Sequence, residues 1–225
     1  MTGEEGHKKS KITDHSAVAE NLLRVLEAFA DEFSQRSAPA TLSNVLRDGT
    51  YLKAEQIGQK PERFVERSLV RPMVDVFGYE IIEQPYGYPK WDKTYPDFSV
   101  RNFDCGVDCL VVGEVKTPNK FEDAENDIDN YLKKDLNEAA VGFATDGVEW
   151  AVKARPERSG EKTEIGTVDL QDAFEKLSRR HEENQSYQKH TTRQDLGDID
   201  SLTRAAIETK ATEVLGADYL LSGPM

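Results

Sequence analysis

Hydrophobic residues recur every three or four positions through the first part of the chain, which is the spacing of one helix face. The first such stretch begins at Ser16, a candidate N-cap, and ends near Ser37. A short apolar patch over residues 42–46 follows and stops at the turn signal Asp48-Gly49. This part of the sequence therefore predicts one long amphipathic helix and one small helix.

A third helical pattern begins at Pro61, because proline suits the first turn of a helix, and it ends at Gly78. Pro72 stands inside this stretch. Proline removes a helical hydrogen bond and its ring crowds the preceding turn. We therefore expect a single helix with a kink near this residue.

Beyond the third helix the pattern changes to short runs rich in β-branched and aromatic residues. These runs predict strands over residues 79–82, 95–100 and 107–115. Turn-forming residues at 102–106 separate the last two runs, so we expect these two strands to form an antiparallel hairpin. A helical pattern returns over residues 122–137.

The rest of the chain predicts further strands and helices. Strands over residues 139–144 and 148–154 meet at the Asp146-Gly147 turn. The remaining predicted elements are a strand over 165–170, a helix over 172–180, a polar stretch to Gly197 and a helix from about 199 to 215. This order predicts an α/β fold, with a central mixed β-sheet flanked by helices and with added N-terminal and C-terminal helices.

The same pattern divides the chain into four segments. They are a disordered arm (1–15), an N-terminal helical segment (16–60), an α/β core (61–182) and a polar linker with the C-terminal helix (183–225). With 225 residues, 37% of them hydrophobic, the chain is long and apolar enough to bury a core. No long apolar run or signal-like start occurs, so we expect a cytoplasmic protein without membrane association.

The charge balance narrows the choice of partners. The formal net charge is −13, which disfavours a general affinity for nucleic acid, so any DNA contact must be local. The acidic excess is spread along the chain, which suits a salty cytoplasm and predicts a halophilic source. The two cysteines, Cys105 and Cys109, form no CxxC pair, and we expect two small core residues rather than a zinc or disulfide site.

Charged residues stand at the ends of two predicted strands. Asp97 lies in the second strand, while Glu114 and Lys116 follow a very apolar run in the third. Because side chains alternate along a strand, Glu114 and Lys116 share one face, and the predicted hairpin brings Asp97 near Glu114. Two close carboxylates repel unless a divalent cation lies between them, and Mg²⁺ or Mn²⁺ suits such oxygen ligands. The backbone carbonyl of Val115 can add a ligand.

Such a metal site has a definite chemistry. A bound cation lowers the pKa of a bound water and neutralises charge that develops on a phosphoryl oxygen, while Lys116 can orient that water or stabilise the transition state. Each residue also has an ordinary interpretation. An aspartate after proline commonly forms a turn, and a Glu-x-Lys sequence at a strand end is commonly a solvated edge. Their combination favours the metal site.

At these positions the chain resembles the PD-(D/E)xK nuclease superfamily, with Pro96-Asp97 and Glu114-Val115-Lys116 at its two motif positions. The resemblance implies a restriction-endonuclease-like fold and metal-dependent hydrolysis of phosphodiester bonds in DNA.

Two flanking segments extend this resemblance over roughly residues 62 to 155. Residues 64–79 resemble the first helix of the N-terminal nuclease domain of type I restriction enzyme R subunits. Residues 144–150 are similar to the strand turn "T-N-G-x-x-W" of that family, with Asp146 where asparagine is usual. The resemblance implies a role in restriction, defence or repair, either alone or with other restriction or repair subunits.

The resemblance also implies further site residues. Glu66 matches the acidic residue on the first helix that completes the metal site, and Glu62, one turn earlier, is the alternative. Many relatives carry a Gln-x-x-x-Tyr signature on the helix after the catalytic strand. Here Tyr131 matches the tyrosine, but Asp127 replaces the glutamine.

Several other residues are candidates for DNA contact. Lys120, Lys133 and Lys134 flank the predicted site and can meet phosphates or pair with neighbouring acids. Aromatic residues in the loop before Asp97, namely Tyr86, Tyr88 and Trp91, can stack on bases or pin the loop to the core. The final helix can support a homodimer or cap its own core.

The sequence leaves two functions open. The first is a metal-dependent nuclease in which Asp97, Glu114, Lys116 and Glu66 act together on DNA. The alternative is a nuclease-like fold that serves as a nucleic-acid-binding or assembly module without catalysis.

Overall fold

The computed structural model describes residues 15–83, 95–134, 138–157, 161–183 and 193–221. Its helices are α1 (His15–Arg36), α2 (Pro39–Leu46), α3 (Ala54–Ile57), α4 (Pro61–Val65), α5 (Arg71–Phe77), α6 (Phe121–Lys134), α7 (Gln171–Glu183) and α8 (Arg204–Leu221). Its strands are β1 (Ile81–Glu83), β2 (Phe98–Val100), β3 (Cys109–Val115), β4 (Ala139–Thr145), β5 (Glu149–Arg155) and β6 (Thr163–Asp169). Residues 1–14 of the predicted arm lie outside the described residues.

Helix α1 is the long amphipathic helix that the apolar spacing predicts. Its apolar face is buried, and Phe29 packs its ring 5.3 Å from that of Phe64 and 6.0 Å from that of Phe174. These rings come from α4 and α7, so one stripe of α1 joins elements that are far apart in sequence. The stripe thereby ties the N-terminal helices to the same core as the later part of the chain.

The third predicted helix contains a π-helical turn, Glu66–Val70, between α4 and α5. Its last hydrogen bond runs from the Arg71 N–H to the Glu66 carbonyl, five residues back. Pro72 follows at once, and a proline cannot donate the ordinary helical bond to the residue four positions earlier. The distortion that Pro72 predicts therefore takes the form of an inserted residue just before it. Gly78 ends α5 with φ of +91°, a left-handed conformation that favours glycine.

The six strands form one sheet in the order β1-β2-β3-β4-β5-β6. Strands β3 and β4 are parallel and are connected through α6, whereas all other neighbours are antiparallel. The prediction of an α/β fold with a mixed sheet and flanking helices is confirmed. The predicted hairpin between the second and third strands is confirmed as well, because β2 and β3 pair antiparallel with Phe98 opposite Gly113.

Both faces of the sheet are covered, which explains why β4 is buried along its whole length. On one face lies the large core that includes α1, α2, α7 and α8. On the other face α6 forms a smaller apolar cluster with β3 and β4, to which Ala124, Ile128 and Leu132 contribute. Gly142 allows this close packing, since a side chain there would meet Ile128 and Leu132.

Two element boundaries differ from the expectation. Strand β1 begins at Ile81, because the Asn102 side chain binds the backbone groups that precede the strand. Its Oδ1 atom accepts the Glu80 N–H at 2.8 Å, and its Nδ2 atom donates to the Gly78 carbonyl at 3.0 Å. Strand β2 is also shorter than predicted and begins at Phe98.

The predicted final helix from residue 199 is split in two. Ile199–Leu202 is a 3₁₀ turn, Thr203 has an extended backbone, and α8 begins at Arg204. Thr203 separates the two parts because its hydroxyl donates to the Asp200 carbonyl at 2.7 Å and its carbonyl accepts the Ile207 N–H at 3.0 Å. Three apolar residues of α8, Ile207, Ala211 and Leu215, are buried in this chain's own core. No helix among the described residues is long and apolar enough to cross a membrane.

Candidate active site

The β2–β3 hairpin brings the predicted Asp97 and Glu114 together. Phe98 pairs with Gly113, so Asp97 and Glu114 are the next residues on the two antiparallel strands. Gly113 permits this arrangement, because a Cβ atom there would lie 2.1 Å from the Phe98 ring. The aromatic ring thus crosses the backbone of β3, and the preceding Asp97 lies against the end of that strand.

Asp97 is fixed by the backbone of the neighbouring strand. Its Oδ2 atom accepts the Val115 N–H at 2.8 Å. Burial raises the pKa of this carboxyl above its usual range, the Val115 N–H opposes the rise, and the negative charge of Glu66 adds to it. The carboxylate is therefore held in place at some electrostatic cost.

Glu114 is a buried carboxylate with only one of its two oxygens paired. Its side chain is 9% exposed, and its Oε1 atom accepts from the Lys116 ammonium at 2.6 Å. Its Oε2 atom is buried and has no hydrogen-bond partner. Burial raises the pKa of Glu114 to about 7, and the negative charge of Asp97 adds to the rise.

Lys116 lies between two carboxylates. Its ammonium is 2.6 Å from Glu114 Oε1 and 2.7 Å from Asp127 Oδ2. Burial favours the neutral amine, but the hydrogen bonds that Lys116 donates to Asp127 and Glu114 together raise the lysine pKa above its usual value. Asp127 therefore serves as a second partner of Lys116, and this contact was not predicted from the sequence.

Tyr131 lies one helical turn after Asp127 on α6 and is nearly buried. Burial raises the pKa of its hydroxyl, and the negative charges of Glu114 and Asp127 raise it further. Tyr131 is therefore near enough to feel the charges of the site, and its contact with DNA stays a prediction.

Glu66, the predicted third acidic residue, forms ion pairs with two arginines. It lies in the π-helical turn, and its carboxylate is 2.5 Å from Arg71 Nη2 and 3.8 Å from Arg63 Nη1. Its charge acts on the pKa of Asp97, as does that of Glu62. The structure therefore brings Asp97, Glu114 and Lys116 together, with Glu114 in contact with Lys116 and next to Asp97. The Glu66 carboxylate is instead paired with arginines.

The residues present suit a small divalent cation. Across the described ranges, no group of three or more His, Cys, Asp and Glu side chains is arranged to hold a metal. Mg²⁺, however, is usually bound by only one or two protein carboxylates, with waters at its other positions. Asp97 and Glu114 form such a pair, and the unpartnered Glu114 Oε2 is an oxygen that a cation would satisfy. The Val115 carbonyl stays a predicted additional ligand.

The candidate DNA contacts are only partly described. Lys120 lies 3.7 Å from Asp123 Oδ2 and 5.6 Å from the centre of the Tyr51 ring, whereas Lys133 is exposed. The side chain of Lys134 lies outside the described residues. So does the loop 84–94 with Tyr86, Tyr88 and Trp91.

The predicted turn at Asp146 supports the segment that follows Lys116. Asp146 Oδ1 accepts the N–H groups of Val148 and Glu149, both at 2.9 Å, and Oδ2 accepts the Asn119 N–H at 2.8 Å. Asparagine offers one acceptor oxygen, so aspartate suits a turn that must bind amides from two segments. Burial raises the pKa of Asp146, although these N–H groups stabilise its charged form.

Comparison of the chain with protein-family models, with curated proteins and with solved structures found no match. The resemblance to nucleases therefore stays a prediction from the motif residues.

Proposed function

We propose that this protein is a metal-dependent nuclease that hydrolyses phosphodiester bonds in DNA. The observation that carries the proposal is the pair Asp97 and Glu114, two neighbouring carboxylates, one half-buried and one buried, of which the buried one has an unpartnered oxygen. A structural ion pair has no need of a second negative charge at this point. A divalent cation would satisfy both carboxylates.

The residues divide the chemistry between them. A Mg²⁺ ion held by Asp97 and Glu114 would supply a water of lowered pKa and positive charge for the phosphoryl oxygens. Lys116 keeps its proton at neutral pH because its two acidic partners raise its pKa. It therefore acts as a fixed cation that orients the attacking water and neutralises developing charge, not as a general base.

The contacts of Lys116 hold its ammonium group in a fixed position. Its ammonium has acidic partners from both β3 and α6, which restrict it to one place despite its long side chain. A charged group that is already oriented needs no reorganisation during the reaction. Glu66 would assist only after a change in its contacts with Arg71 and Arg63.

A second candidate is a nuclease-like module that binds or assembles without catalysis. It is favoured by Asp127 in the glutamine position and by the ion pairs that engage Glu66. The two candidates differ in one observable, which is cleavage of DNA in the presence of a divalent cation.

Digestion of supercoiled plasmid tests the proposal. We expect nicking that requires Mg²⁺ or Mn²⁺ and that falls by about 100-fold or more in Lys116→Ala, since removal of one stabilising charge commonly has such an effect. Lys153→Ala is the matched control, because Lys153 is equally buried and also has two acidic partners. Metal binding without nicking by the wild-type chain would favour the module.

A further inference from the structure

A groove lined by basic side chains runs beside the candidate active site. It has a volume of about 430 Å³. Its lining residues are Gln59, Lys60, Arg63, Glu66, Arg67, Arg71 and Glu83. Four of these seven are cationic and two are acidic, so the groove is positive in a chain whose formal net charge is −13.

The four cations form a row along one side of α4 and the π-helical turn. Lys60, Arg63, Arg67 and Arg71 follow one another at spacings of three, four and four residues. The wider π-helical turn keeps the last of them on the same side, and all four line the one groove. A row of positive charges with this regularity matches a linear polyanion better than a compact ligand.

Two of the arginines are available to a new partner. Arg63 is 56% exposed and lies 3.8 Å from Glu66, and Arg67 is 60% exposed and lies 3.5 Å from Glu32. Exposed ion pairs at such distances contribute little. A guanidinium binds phosphate through two parallel N–H groups, so a phosphate can replace these weak partners. Arg71, in contrast, is held by Glu66 and Glu83 and is only 26% exposed.

The groove and the active site share an element. Glu66 lines the groove, and its charge also acts on the pKa of Asp97. A neighbouring cavity of about 1080 Å³ shares Lys60 with the groove but has more acidic than basic lining residues: two lysines against Glu62, Glu122, Asp123, Glu125 and Glu149. A strand of DNA would be repelled by the acidic cavity and attracted along the basic row.

We propose that this groove binds the phosphodiester backbone of the DNA substrate and guides it to Asp97 and Glu114. The inference rests on the proposed nuclease function. Arg63 and Arg67 are the contacts to phosphate, and Arg71 shapes the groove through its ion pairs. Positive charge concentrated here gives the acidic chain the local DNA contact that its overall charge opposes.

Fluorescence anisotropy of a labelled duplex, measured with the full chain in EDTA over a series of KCl concentrations, tests the groove apart from catalysis. Each lost phosphate contact reduces the slope of log affinity against log salt by about 0.9. We therefore expect Arg63→Gln/Arg67→Gln to reduce the slope by about 1.8 and to weaken binding at fixed salt by about tenfold.

The matched control is Arg179→Gln/Arg193→Gln. These arginines are 59% and 56% exposed and also have acidic partners, so the control removes the same charge from the outer surface. We expect it to keep the wild-type slope. Thermal unfolding of all variants identifies any loss of fold, which these exposed positions should not cause.

The outcomes separate the two proposals. Equal slopes of log affinity against log salt for the groove variant and its control would contradict the proposal that the groove binds DNA. So would a wild-type chain that does not bind the duplex. A reduced slope in a chain that never cleaves DNA would support the groove and contradict the nuclease. Plasmid cleavage with an unchanged slope would do the reverse.

Discussion

Helix α6 contributes residues to two clusters of charged side chains, which contain similar groups but differ in net charge. The hairpin cluster consists of Asp97, Glu114, Lys116 and Asp127. The β5 cluster consists of Glu125, Asp129, Lys153 and Lys162. The first has three carboxylates and one lysine, a net charge of −2, and the second has two of each, a net charge of zero.

The β5 cluster is complete by itself. Lys153 lies 3.0 Å from Glu125 and 3.2 Å from Asp129, and Lys162 lies 2.8 Å from Asp129. Burial alone would raise the pKa of Asp129, but Lys162 and Lys153 together lower it below its usual value. Every charge in this cluster has an opposite charge beside it, which is what a structural ion-pair network requires.

The hairpin cluster has one cation for three carboxylates. Its lysine is as buried as that of the β5 cluster, with 17% against 16% exposure, yet the pKa values of Asp97 and Glu114 are raised. Perturbed carboxylates of this kind are typical of functional sites. The difference teaches that burial and acidic residues alone do not distinguish a site from a structural network. The two clusters differ instead in charge balance, with a net charge of −2 in the hairpin cluster and zero in the β5 cluster.

The largest difference between the two clusters should appear in the free energy of unfolding when the central lysine of each, Lys116 or Lys153, is removed. Without divalent cations at about pH 8, we expect Lys116→Met to lower the free energy of unfolding by about 4 kcal/mol, because it leaves the buried Glu114 carboxylate without its cation. Lys153→Met should cost about 1 kcal/mol, since Lys162 still pairs with Asp129. Urea unfolding measures both. Equal losses would mean that the two clusters are alike.

A somewhat smaller effect should appear as a dependence on pH. The pKa of Glu114 is raised to about 7 in the folded chain from 4.5, so the folded chain holds this proton more tightly. The resulting stability is present below the unfolded value and is lost as pH rises through the folded one. Relative to Glu114→Gln, the wild-type chain should therefore lose about 3 kcal/mol between pH 4 and pH 8.

Urea unfolding in EDTA at several pH values measures this difference between wild type and Glu114→Gln. Added Mg²⁺ should restore wild-type stability at the upper end of the range, because the cation takes the place of the proton. A constant difference between the two chains across the whole range would show that Glu114 does not titrate as the structure indicates.

The local parts of this picture could be predicted from the sequence, and the parts that depend on packing could not. Alternation along β3 and the turn before it were enough to place Asp97 near Glu114. The contacts of Glu66 were not predictable from helical spacing, because the π-helical turn inserts a residue and Arg71 then engages its carboxylate. Only tertiary packing of α6 on the sheet brings Asp127 to Lys116.

Calorimetric titration with Mn²⁺ at about pH 8 tests the central claim that Asp97 and Glu114 share a divalent cation. We expect the wild-type chain to bind the ion, Asp97→Ala to lose this binding, and Asp129→Ala, from the balanced cluster, to retain it. Absence of binding by the wild-type chain, or binding that survives Asp97→Ala and disappears in Asp129→Ala, would contradict the account.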